Sequence, residues 1–161
     1  MFQVGDYIFY PMFGAGHIEA MEEKEFLGEK KWYYQVTIKH PVMEVSFPIH
    51  NAEALGIRNI ADEEMLESAR SVLLEQCSEL PSNPTARQQN LLQKLKTGEL
   101  CMELQVIRDL SNLNSKKSLG WTDKNMLNNA RKLVISELIT ARNISPEEAS
   151  LLLDNTIHAV S

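Results

Sequence analysis

Catalysis needs convergent groups, so the residues to weigh first are the histidines, the cysteines and the one glycine-rich segment. His17, His40, His50 and His158 are scattered singly along the 161-residue chain, and no GxSxG, HExxH or Walker-type pattern is present. Cys77 and Cys101 lie in helix-like sequence without CxxC spacing. They read as reduced thiols of a cytoplasmic protein, not as a zinc site or a disulfide framework. Gly14-Ala15-Gly16 falls between two strand-like runs, lacks a following Lys and opens no helix, which sets it apart from a phosphate loop. The sequence therefore offers no catalytic residue, no metal ligand set and no cofactor site, and the expectation is a protein that is not an enzyme.

What remains is the chemistry of contact. The net charge of −6 argues against indiscriminate coating of nucleic acid. Charge is nevertheless uneven. Between Asp62 and Glu79 there is one basic residue, Arg70, against six acidic ones, whereas Arg87 to Arg142 holds ten Lys or Arg against five Asp or Glu, a local balance of +5. Two tryptophans could stack on bases. Trp32, beside Tyr33 and Tyr34, reads first as core of a small β domain, with a stacking platform as the alternative. Trp121 reads first as an apolar staple packed on the helix that follows, with an exposed wedge as the alternative. No apolar run could span a bilayer and no signal-type segment opens the chain, so no membrane partner and a cytoplasmic location are expected.

Two kinds of element must position these residues. Up to about residue 58, apolar and aromatic residues alternate with polar ones: Tyr7–Tyr10, His17–Glu22, Trp32–Ile38 and Met43–Ile49 read as strands, with a hairpin turn at Gly28. From Asp62 the period becomes helical. Met65, Leu66, Ala69, Val72, Leu73 and Cys77 share one face. Further helices are expected over Thr85–Lys96 and Glu99–Leu113, after Thr122 as an N-cap, and from Ser145-Pro146. The fold class is thus α+β in two subdomains: a small SH3- or Tudor-like β-barrel over 1–58, and an all-α domain of about five helices over 59–161.

Several stretches also resemble a known family. Val4-Gly5-Asp6-Tyr7-Ile8-Phe9-Tyr10-Pro11-Met12-Phe13-Gly14-Ala15-Gly16-His17-Ile18 is similar to the opening of the CarD-type (CdnL-type) transcription regulators, G-D-x-V-x-Y-P-x-x-G-x-G-x-I. The likeness continues through Asn51-Ala52-Glu53 and Gly56-Ile57-Arg58. It reappears at Val106-Ile107-Arg108-Asp109-Leu110 and over Lys124 to Arg131, which look like V-V-R-D-L and K-R-M-L-x-x-A-R.

The resemblance implies a Tudor-like domain that binds the β subunit of bacterial RNA polymerase by pairing a strand edge with it. Carried over position by position, the dock would include Lys24, Glu25, Phe26 and Ser46, with Lys and Ser standing where the family commonly has Arg. The helical domain would lie on promoter DNA at the upstream fork of the transcription bubble, where the family places a Trp wedge after an Asn. Here Asn83 is followed by Pro84. Arg87 and Lys124 keep a basic character, with Lys116 and Lys117 nearby, while Ala86, Gln89 and Asn129 occupy positions that are commonly basic. The implied function is a nucleoid-associated initiation factor that modulates open-complex stability through weak, tethered DNA contacts, with no small-molecule substrate. An alternative is an adaptor that docks on polymerase, has lost productive DNA contact and recruits another protein through its helices.

Overall fold

A computed structural model describes residues 2–158. Position 1 and positions 159–161, the last three of the expected helical domain, lie outside the described residues. The first part is an antiparallel sheet of β1 (Tyr7–Tyr10), β2 (Gly14–Phe26), β3 (Glu29–Lys39), β4 (Val42–Pro48) and the short β5 (Arg58–Asn59), in the order β4-β3-β2-β1-β5. The expected Tudor-like β domain followed by helices is present, but the strand order has two ends, β4 and β5, so the sheet does not close into a barrel. An extra residue on β2 between Ile18 and Ala20 shifts its register against β3, the kind of bulge that raises twist. The β2–β3 turn is Leu27-Gly28, both at positive φ (51° and 81°), the backbone that a tight two-residue hairpin requires.

The second part holds α1 (Glu63–Arg70), α2 (Pro84–Lys96), α3 (Leu100–Lys116), α4 (Trp121–Arg142) and α5 (Pro146–His158). The first helix is shorter than its apolar stripe suggests. It tightens into a 3-10 turn at Ser71–Leu74, and Cys77 lies in the following loop. Its start is capped by Asp62, whose side chain accepts from Met65 N at 2.8 Å, and α5 is capped by Ser145 Oγ, which accepts from Glu148 N at 3.1 Å. The loop after α1 is pinned to α3 by the Arg108-Asp109 pair. Arg108 donates to Val72 O (3.0 Å) and Ser78 Oγ (3.1 Å), and Asp109 Oδ1 accepts from Ser78 N (3.0 Å). This motif does structural work inside the domain.

Two cores result, and β1 contributes to both. Ile8 packs with Ile18, Tyr34, Val36, Ile38 and Phe47 within the β part, while Phe9, pointing to the other face, joins the helical core with Leu95, Val106, Ile107 and Val134. The junction is close. Ser136 Oγ on α4 accepts from Ala15 N at 3.1 Å, and a Cβ on Gly14 would stand 2.8 Å from that oxygen. Gly98 has φ of +73°, and a Cβ there would fall 2.5 Å from Pro11 Cγ. At the centre, Arg58 of β5 forms a two-pronged ion pair with Glu137 of α4 (2.6 and 2.7 Å), donates to Gly98 O (2.9 Å) and lies 4.5 Å from the centre of the Phe9 ring. Glu137 also accepts from Ala61 N at 2.8 Å. A fully buried carboxylate is thus given donors from both sides of the connector.

Candidate functional site

The expected docking residues sit at the outer end of the β2–β3 hairpin. Pro48, the last residue of β4, pairs with Tyr33, so β3 from Glu29 to Trp32 has no strand on its outer side among the described residues. Its backbone there is an open edge. Alternation places Lys24 and Phe26 on the face opposite Tyr34 and the β core, in line with Tyr33 and Gln35. Ser46 pairs with Gln35 and so shares that face. The Lys24 ammonium is 5.7 Å from the centre of the Tyr33 ring, while Phe26 and Leu27 at the tip are 69% and 89% exposed. Lys24, Phe26 and Ser46 are therefore brought onto one outer surface; Glu25 points to the other face.

Trp32 differs from its expected place in the core. It is 51% exposed, and it pairs with Glu23 beyond the last residue of β3 that β4 reaches. Tyr34, two residues inward, is the buried aromatic, and its hydroxyl donates to Phe2 O.

The second group of expected residues lies where the N-terminal ends of α2 and α4 meet. Asn83 caps α2 by accepting from Ala86 N at 3.0 Å, and Pro84 occupies the first helical position, where its missing N–H is harmless. Arg87 is not a free cation. Its guanidinium bonds both oxygens of Asp123 on α4 (3.2 and 2.9 Å) and donates to Pro81 O and Ser82 O (3.1 and 3.3 Å). Gln88 adds a third bond to Asp123 at 2.7 Å. Arg87 thus fastens the start of α2 onto the first turn of α4 and sets the position of Pro84. Lys116 and Lys117, at the end of α3, and Lys124, in the first turns of α4, are exposed and have no ion pair among the described residues.

The sequence reading of Trp121 is also corrected here. The N-cap of α4 is Gly120, not Thr122, and Trp121 is the first helical residue. The staple-like place belongs to Leu119, which is buried in the helical core; Trp121 turns outward and is 78% exposed. It lines a groove of about 590 Å³ together with Pro84, Arg87, Lys117 and Asp123. Asp123, which orders this groove, escaped sequence reasoning because an Asp in a first helical turn ordinarily answers the helix dipole, and nothing local couples it to Arg87.

Interior electrostatics centre on Glu103 of α3. Both of its carboxylate oxygens are buried without a hydrogen-bond partner. Desolvation, reinforced by the charge of Glu137 and offset in part by Arg58, pushes its pKa well above the usual carboxylate range. Among the described residues no group of three or more His, Cys, Asp or Glu side chains converges to hold a metal ion, and no helix is long and apolar enough to cross a membrane.

Comparison with known proteins agrees with this two-part architecture. Residues 2–61 match the CarD-like/TRCF RID domain model, and residues 68–154 match the model of the CarD C-terminal domain. YdeB, a candidate transcription factor of Bacillus subtilis (strain 168), is 37% identical over 148 residues, covering 92% of this chain and 97% of that protein.

Proposed function

The chain belongs to the CarD-like family of transcription factors, and from that premise we propose that it is a polymerase-docked regulator of transcription initiation. A RID-type N-terminal domain implies interaction with RNA polymerase. In our reading the β subunit is the partner, met by the outer hairpin surface of Lys24, Phe26 and Ser46 and by the open edge of β3. The helical domain then reaches promoter DNA at the upstream fork. Tethering raises the local concentration of DNA, so that a few lysines suffice for a contact that would be weak in free solution. If those contacts form only with the open promoter, they shift the closed-to-open equilibrium by their own differential free energy.

The observation that carries this reading is the shared outer face of Lys24, Phe26 and Ser46 beside an uncovered strand edge: it offers main-chain pairing and an apolar anchor together. The test is binding of the purified protein to bacterial core RNA polymerase, repeated with Lys24→Glu combined with Phe26→Ala. Wild-type binding that the double variant loses supports the dock; binding that it retains in full places the interface elsewhere.

One observation favours the adaptor as a second reading. Arg87 is bound to Asp123, which leaves the lysines alone to grip phosphates. Charge reversal at Lys116, Lys117 and Lys124 separates the two: it abolishes a promoter effect if DNA is the target and leaves recruitment of a protein partner intact if it is not.

A further inference from the structure

Of the ten basic residues between Arg87 and Arg142, five are held by carboxylates: Arg87, Lys94, Arg108, Arg131 and Arg142. Lys96, Lys116, Lys117, Lys124 and Lys132 are the five without such a partner among the described residues. Three of those five lie near Trp121 along the chain, where α3 ends and α4 begins. Lys117 lines its groove, Lys116 precedes it on α3, and Lys124 lies one turn along α4, on the same side as Trp121. An indole exposed to this degree, on a helix otherwise buried along its apolar stripe, leaves a large apolar surface in water with no intramolecular use.

We infer that Trp121 is a stacking residue for an unpaired or unstacked base, with Lys116, Lys117 and Lys124 holding the flanking phosphates. The charge pattern selects the occupant: an acidic protein with Lys117 in the groove of an exposed indole and Lys124 one turn along the same helix complements a polyanion with π faces. The site is also held in place. The Arg87–Asp123 pair fixes the start of α2 against the turn of α4 that carries Trp121, so Pro84 and Trp121 line one groove whose two sides are tied together. This inference rests on the proposed promoter contact and names the residue that makes it.

The test uses full-length protein, RNA polymerase holoenzyme and a forked promoter fragment whose upstream edge carries 2-aminopurine. Wild-type protein quenches the 2-aminopurine emission, Trp121→Phe retains part of the quenching, and Trp121→Ala loses it while weakening fork binding roughly tenfold, the scale of one base–aromatic stack. Polymerase binding stays at the wild-type level in both variants. Full quenching by Trp121→Ala, with Lys124→Glu still weakening the fork complex, overturns the inference and leaves the promoter contact standing. No effect of either substitution on the fork, with polymerase still bound, overturns both. A groove that instead takes protein reveals itself if Trp121→Ala weakens binding to polymerase without DNA, which also overturns the inference.

Discussion

The junction between the two parts of the molecule and its two outer ends use charge in opposite ways. At the junction Arg58 is enclosed, with a buried carboxylate, a backbone carbonyl and an aromatic face as partners. At the outer ends Lys24, Lys116, Lys117 and Lys124 carry no ion pair among the described residues and stand beside exposed aromatic side chains. Satisfied charge fixes geometry, and unsatisfied charge is available to a partner. A close junction therefore does more than stabilise: if the hairpin docks as proposed, the junction carries the Trp121 groove with it.

The largest effect should come from breaking the junction. Arg58→Ala leaves Glu137 buried without its counter-ion and should cost about 3–5 kcal/mol in urea unfolding. It should also loosen the two parts against each other, seen as faster amide exchange in β5 and α4. Gly98→Ala comes next. It places a Cβ against Pro11 at a positive φ, and a loss of roughly 2–3 kcal/mol is expected, with Gly5→Ala, also at positive φ but with a Cβ in open space, as the control that isolates the clash.

Glu103 gives a smaller, pH-dependent effect. Below the ordinary carboxylate range both folded and unfolded chains hold its proton. Above that range the unfolded chain releases the proton while the folded one, with its raised pKa, keeps it; this group therefore lowers stability as pH rises until the folded carboxyl itself ionises. Glu103→Gln should flatten that decline above the ordinary carboxylate range, measured as melting temperature against pH. An unchanged profile would mean that burial does not hold the proton on Glu103.

At the outer ends stability should barely respond. Lys124→Glu is expected to change unfolding free energy by less than about 0.5 kcal/mol, yet to lower the salt dependence of promoter binding by about one phosphate contact or more. A large loss of stability there would erase the contrast between junction and ends.

Much of this was legible in the sequence where the cause is local. β1 has the expected ends because Gly5-Asp6 and Pro11 bound it, and Gly28 marks the hairpin turn. Ser145 caps α5 as its spacing with Glu148 indicates. The helical and strand periods separated the two parts because period depends on neighbours within a few residues. Long-range pairing left no such trace. Arg58 and Glu137 are 79 residues apart, and neither spacing nor composition joins them. Arg87 reads as a phosphate ligand until Asp123 is seen beside it. Trp121 was misplaced by a two-residue shift in the helix start, from Thr122 to Gly120, enough to turn an indole from core to solvent. Sheet closure was likewise out of reach, since it depends on whether β5 meets β4 and not on any strand's own residues.

The central claim is that the groove acts only through the dock, and a double-mutant cycle on open-complex lifetime tests it most directly. Lys124→Glu is measured alone, in the Lys24→Glu/Phe26→Ala background, and against that background by itself, with polymerase and a single promoter. Coupling predicts that Lys124→Glu alters the lifetime in the docked protein and has no further effect once the dock is lost. Independent effects that add would contradict it.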